Sequence, residues 1–121
     1  MYILLSDGGN RKDITYGSFK IYTDRGETIA YKQMVFGYGT SNLAEYLSLI
    51  EGLKKAIAMN IKDITVLTDS KVVQKQILGD WACNYEYLRV ARDKARRLLK
   101  KFDNWEINKV SRNIISSQLG H

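Results

Sequence analysis

A change of hydrophobic period near residue 40 is the feature that most constrains the fold. Before it, three segments are typical of strands: an apolar run at 2–6, an alternating run at 17–23, and a returning run at 28–36 after the polar turn 24–27. After it, apolar residues at 43, 47, 50, 53 and 57 recur at helical spacing. The pattern predicts an antiparallel half-sheet, followed by helices that alternate with further strands.

The second half of the chain supplies these further elements. Segment 63–68 is β-branched and too short for a helix, so it predicts a buried strand. Helices are predicted at 70–78, ending at Gly79, and at 84–102, with a last strand at 105–110 and about one helical turn at 114–119. We therefore expect an α/β fold with a mixed five-stranded sheet, three antiparallel strands plus two parallel additions, and flanking helices.

Composition favours one soluble domain with a polyanionic partner. The chain has 121 residues, 45% of them hydrophobic, and it contains no proline or low-complexity linker, so residues 1–121 are predicted to form a single domain. The formal net charge of +6 favours a polyanionic partner over an acidic protein surface. Lone Cys83 cannot form an internal disulfide, and no apolar run is long enough to span a bilayer. We expect a cytoplasmic monomer without a membrane partner.

Three carboxylates stand where active sites are often built. Asp7 follows the first predicted strand, Asp69 follows the fourth, and Glu45 lies in the first turn of the first long helix. Neighbouring strands of this kind would bring Asp7 and Asp69 side by side. Converging carboxylates repel one another unless a cation lies between them, and oxygen ligands suit Mg²⁺ or Mn²⁺. The set predicts a divalent-metal site.

Each acid also has a purely structural interpretation. Asp7 precedes two glycines and fits a turn. Glu45 stands three residues after Asn42, which is the spacing of a helix cap and its partner. Asp69 could cap the helix that follows it. The metal hypothesis therefore rests on the three acids together.

Three segments carry a family resemblance: SDGG at 6–9, TSNLAEYLSLIEGLKKA at 40–56, and TDSKVVQKQILGDW at 68–81. Together they resemble the ribonuclease H type 1 family, in its compact bacterial and archaeal branch, over residues 2 to about 110. The resemblance implies an endonuclease that hydrolyses the RNA strand of RNA/DNA hybrids with a divalent metal. It implies catalytic and metal-binding roles for Asp7, Glu45 and Asp69, and contact with the hybrid for Gly8, Gly9, Ser41 and Asn42.

The carboxyl-terminal segment departs from the family pattern. Its matching positions are Arg112, Asn113, Ser116, Ser117, Leu119 and Gly120. Ser117 stands where the family has its fourth metal-binding acid, so the resemblance implies weakened cleavage. The family's catalytic histidine would fall near 111–113, whereas the one histidine of this chain is His121.

The departure leaves two other functions open. One is a catalytically impaired binding module of the same fold. The other is a different nuclease of the superfamily that acts on a structured or single-stranded substrate.

The predicted helix 84–102 is strongly basic. Arg89, Arg92 and Arg96 recur at helical spacing and continue to Lys100. They fit either a solvated helix face or contact with the backbone phosphates of the DNA strand. Trp81 and Trp105 are predicted to lie in or near the core.

Overall fold

The computed structural model describes residues 1–120. Its elements in chain order are β1 (Tyr2–Arg11), β2 (Ile14–Thr23), β3 (Thr28–Tyr38), α1 (Ser41–Ala58), β4 (Asp63–Thr68), α2 (Lys71–Leu78), α3 (Glu86–Leu99), β5 (Asn104–Lys109) and α4 (Arg112–Leu119). Every strand and helix predicted from the sequence is present, with shifted ends.

All five strands of this region form one sheet in the order β3-β2-β1-β4-β5. The β1–β2 and β2–β3 pairs are antiparallel, as their short connections require, whereas β1–β4 and β4–β5 are parallel. The predicted fold class is therefore confirmed. β1 occupies the centre of the sheet, and the carboxyl ends of β1 and β4 meet at one edge.

The two faces of the sheet are covered unequally. Consecutive strand residues point to opposite faces, and Leu4 belongs to the large core that α1 and α3 complete, whereas Leu5 belongs to a small second cluster. Ile115 and Leu119 of α4 fill that second cluster. Thus α1 is held by the main core, while α4 is anchored on the other face by few apolar residues. Within residues 1–120, no helix combines the length and apolar content needed to cross a bilayer.

The first turn was predicted in the wrong place. Residues 7–10 were expected to leave the strand, but β1 continues to Arg11 and the chain turns at Lys12 and Asp13, with φ of 52° and 68°. Two successive residues with positive φ are typical of the two-residue turns that match strand twist. The glycine pair is therefore part of a strand.

The expected burial of the two tryptophans is also wrong. Trp81 is 44% exposed and Trp105 is 36% exposed. Trp81 lies in the α2–α3 connection, with the Lys71 ammonium 5.7 Å from its ring centroid. Trp105 lies on the edge strand β5, which has a neighbour on one side only.

Candidate metal centre and nucleic-acid interface

The strand register brings the two aspartates together. Leu5 of β1 and Leu67 of β4 form the last parallel pair, so Asp7 and Asp69 stand at matching positions two residues further on. Glu45 joins them from α1, and one carboxylate oxygen from each of the three residues lies within 4.8 Å of the others. This set, which we call the acidic trio, combines the three acids that the sequence singled out.

Close packing of α1 against β1 holds Glu45 in place. The backbone N–H of Gly8 donates a hydrogen bond to Glu45 Oε1. A Cβ atom on Gly8 would lie 2.4 Å from the backbone carbonyl carbon and oxygen of Ala44. Only glycine permits this approach of strand to helix. Gly8 therefore has a structural role. The family resemblance implied only that Gly8 contacts the hybrid.

The trio is electrostatically suited to a cation. Asp7 and Glu45 are buried, and Asp69 is partly buried. Burial, and after it the negative charge of Asp7, raise the pKa of Glu45 to about 9. A divalent ion between the carboxylates would stabilise their charged forms, and all-oxygen donors match the preference of Mg²⁺ and Mn²⁺. The residues present therefore fit a hard divalent ion.

The structural interpretations of the three acids are wrong. Thr40, not Asn42, caps α1, because its Oγ1 accepts a hydrogen bond from the Leu43 N–H at 3.2 Å. Ser70, not Asp69, caps α2 by accepting from the Val73 N–H at 3.1 Å. Asp7 lies within β1. Neither a cap nor a turn accounts for the trio.

Sequence reasoning did not assign Arg112 to this centre. Its Nη1 lies 3.0 Å from Asp69 Oδ2 and 3.5 Å from Asp7 Oδ2. The hydrogen bond with Asp69, followed by the charge of Asp7, raises the pKa of the Arg112 guanidinium. Arg112 opens the segment that matches the family's carboxyl-terminal pattern, but that pattern does not indicate which residues its side chain contacts.

Ser117 lies five residues beyond Arg112 on α4. Its side chain is exposed, and its hydroxyl donates a hydrogen bond to the Ile114 carbonyl at 3.0 Å. The adjacent residue Gln118 accepts from Lys20 Nζ on β2 at 3.2 Å, which helps to attach α4 to the sheet. α4 thus carries a neutral hydroxyl at the position where the family has its fourth acid, and it places a guanidinium at the trio. His121, the other residue in question, lies outside the described residues.

The residues expected to touch the hybrid have unequal surroundings. Ser41 and Asn42 are exposed in the first turn of α1, whereas Glu45, expected in that turn, lies just beyond it. Gly9 is half-buried, and a Cβ there would lie 2.6 Å from the Tyr16 hydroxyl. Asn10 donates to the Gly39 carbonyl at 2.5 Å and so ties β1 to the loop before α1. Contact between these residues and nucleic acid stays a prediction.

The three arginines of α3 make contacts within the protein. Arg96 donates to the Gln76 and Ile77 carbonyls at 2.8 and 3.1 Å, which satisfies the carboxyl end of α2. Arg89 donates to the Cys83 and Asn84 carbonyls and pairs with Glu86, and Arg92 pairs with Asp93. Their predicted contact with DNA phosphates would have to be made in addition to these bonds.

The sheet order and the acidic trio together define the ribonuclease-H-like class of domains. The family described as reverse transcriptase-like matches residues 5–117. The chain therefore belongs to this family, and the resemblance to type 1 ribonucleases H is confirmed.

Individual relatives agree with the family match. Ribonuclease HI of Halobacterium salinarum is 40% identical over 96 residues, which cover 79% of this chain and 45% of the relative. The bifunctional protein Rv2228c of Mycobacterium tuberculosis is 30% identical over 124 residues, covering 98% of this chain and 34% of the relative. This chain thus spans less than half the length of these curated relatives.

A solved structure agrees over nearly the whole chain. The crystal structure of RNase H1 from Halobacterium salinarum superposes with a TM-score of 0.92 at 32% identity, covering 98% of this chain and 92% of that one.

Proposed function

We propose that this protein is an endonuclease that hydrolyses the RNA strand of RNA/DNA hybrids, with Mg²⁺ or Mn²⁺ held by Asp7, Glu45 and Asp69. The convergence of these acids within 4.8 Å carries the proposal. The relatives named ribonuclease HI and RNase H1 support the substrate class. In the reaction, a water oxygen bonds to phosphorus and the P–O3′ bond breaks, leaving a 3′-hydroxyl and a 5′-phosphate.

The chain's own residues prepare the site for this reaction. A bound divalent ion would activate water and neutralise charge on the phosphate. Gly8 orients Glu45 through its N–H, and the burial of Glu45 and Asp7 keeps competing water away from those carboxylates. Because the trio is built on β1, β4 and the start of α1, its geometry is set by the sheet and the main core rather than by mobile loops.

The hybrid would lie across the start of α1. Ser41 and Asn42 are exposed beside Glu45 and offer polar groups to the minor groove, where a hybrid is recognised by shape and by the 2′-hydroxyl. The half-exposed backbone of Gly8 and Gly9 would approach the RNA strand, while Arg89, Arg92 and Arg96 would meet phosphates of the DNA strand. We propose that a cytoplasmic, monomeric single domain carries this activity.

A catalytically impaired binding module is the second candidate. The observation that favours it is the exposed hydroxyl of Ser117 where a fourth acid would stand. Such a module would bind the same hybrid without appreciable turnover.

Cleavage of an end-labelled hybrid tests both candidates. The wild type, Asp7→Asn and Asp13→Asn are incubated with the hybrid in Mg²⁺, in Mn²⁺ and in chelator, beside duplex DNA and duplex RNA. Asp13 is a matched control because it is an exposed turn residue with positive φ, a conformation that asparagine also tolerates.

We expect the wild type and Asp13→Asn to cleave the hybrid, and Asp7→Asn to lose cleavage. Undiminished cleavage by Asp7→Asn would refute the metal centre. Hybrid binding without cleavage in either metal would select the binding module.

A further inference from the structure

A positive charge from the chain itself already lies at the acidic trio. The Arg112 guanidinium contacts one oxygen of Asp69 and one of Asp7, and it reaches them from α4 with a side chain that is 61% exposed. Ile115 and Leu119 pack α4 against Leu5 on the same face, so this approach is fixed by folding. The Arg112 guanidinium would therefore lie beside any cation that the trio binds.

The charge balance at the centre differs from that of a four-acid site. Four carboxylates are balanced by two divalent ions, and two ions can clamp the attacking and leaving oxygens of a phosphodiester. Here the trio supplies three negative charges and Arg112 one positive charge, so one divalent ion completes the balance. At the fourth position α4 carries the neutral Ser117.

We infer that Arg112 takes the place of a second metal ion, so that this centre binds a single divalent ion and the guanidinium supplies the other positive charge. The inference rests on the proposed function for the existence of the metal centre, and it deepens that proposal by fixing the number of ions. An arginine suits this place because it stays charged at all working pH values and donates in a fixed planar geometry.

The geometry explains why the two cations exclude each other. A second ion at the aspartates would compete for the Oδ2 atoms that Arg112 contacts at 3.0 and 3.5 Å. Like charges at such distances repel strongly in a partly buried site. Loss of the guanidinium therefore removes its contacts with both oxygens and the repulsion, and an added acid at Ser117 would supply the missing ligand.

Metal titration followed by calorimetry tests the inference without any nucleic acid. The proteins are the wild type, Arg112→Gln, Arg112→Lys, Ser117→Asp and the Arg112→Gln/Ser117→Asp double variant, each titrated with Mn²⁺ and with Mg²⁺. Arg97→Gln is the matched control, because it removes the same charge from an exposed position on α3. Electron paramagnetic resonance of the Mn²⁺ forms reports whether two ions are coupled.

The expected result is one ion per wild-type chain, and two coupled ions in the double variant. Arg112→Gln alone should bind its first ion about three- to tenfold more tightly, since a like charge has been removed. Arg112→Lys, which keeps the charge, and Arg97→Gln should match the wild type in stoichiometry. Circular dichroism confirms that each variant is folded.

Two ions in the wild type would overturn the inference. So would weaker first-ion binding in Arg112→Gln, which would make Arg112 a residue that only positions the aspartates. Its failure is distinguishable from that of the proposed function. One ion with the expected arginine effect but no hybrid cleavage would reject only the function, whereas cleavage with two wild-type ions would reject only the role of Arg112.

Discussion

The helices α1 and α4 both deliver groups to the acidic trio, but they do so from different supports. α1 contributes Glu45 from a helix with nine buried residues, and it approaches β1 so closely that Gly8 has no room for a side chain. α4 is eight residues long, buries Ile115 and Leu119, and presents Arg112 from an exposed position. The difference separates a half of the centre that is built on the main core from a half that is held by a small second cluster of apolar residues.

Loss of the carboxylate on the α1 side should have the largest effect. Glu45→Gln keeps the volume and the Gly8 contact but removes the carboxylate that we propose as a metal ligand. Hybrid cleavage should therefore fall at least about 100-fold, since even the loss of a group that only supports a metal ligand costs about 10- to 100-fold. Initial rates over a range of Mg²⁺ concentrations measure this. Glu51→Gln, on the same helix and paired with Lys54, is the control and should retain activity. Comparable losses in both variants would show that the helix, not the ligand, had been disturbed.

The next largest effect should come from adding a side chain at the contact between α1 and β1. Gly8→Ala places a Cβ against the Ala44 backbone, which cannot yield as a flexible side chain can, so the free energy of unfolding should fall by about 1–3 kcal/mol. Urea denaturation provides the measurement. In Gly9→Ala the new Cβ meets the end of the Tyr16 side chain, which can shift, and a smaller loss is expected. Equal losses in the two variants would contradict the close helix approach.

Restoring an acid on α4 should produce a smaller change in the opposite direction. Ser117→Asp should increase hybrid cleavage about two- to tenfold, in keeping with one additional ligand in an exposed helix. Gln118→Glu adds the same charge at the next residue and should leave the rate near that of the wild type. Unchanged turnover in Ser117→Asp would show that the family's fourth position does not align with residue 117.

The stability of the metal-free protein should depend on pH through Glu45. The pKa of Glu45 is raised from 4.5 to about 9 in the folded protein, so the folded state holds a proton that the unfolded state releases. The stabilisation is complete below pH 4.5 and is lost as pH rises towards 9. In chelator, the melting temperature should fall as pH rises across this window, and less so in Glu45→Gln. Parallel curves for the two proteins would assign the pH dependence to other groups.

The predictability of the site follows the same division between α1 and α4. Period, turn residues and strand order predicted the five strands and brought Asp7, Glu45 and Asp69 together, because each acid lies on or directly beside an element with a strong hydrophobic pattern. The glycines of β1 were mistaken for a turn because local propensity does not include the helix that passes above them.

The contacts of arginines were beyond the reach of sequence patterns. Arg112 and Arg96 both look like solvated basic residues in the chain, yet one reaches the trio and the other bonds the end of α2. Such partners are separated by 43 and 20 residues, and only the folded arrangement brings them together. Long flexible side chains carry little periodic signal, so their contacts must be observed in three dimensions.

The β1–β4 register sets a limit on how this chain can change in length. Asp7 and Asp69 lie side by side because each follows a residue of the Leu5–Leu67 pair by two positions. One residue inserted between Leu67 and Asp69 would turn the Asp69 side chain to the opposite face of the sheet. The turn at Lys12 and Asp13 lies outside that span, so it can lengthen without altering the distance between the two aspartates. Insertions are thus tolerated at the far end of the hairpin and excluded from the two short stretches that end in the acids.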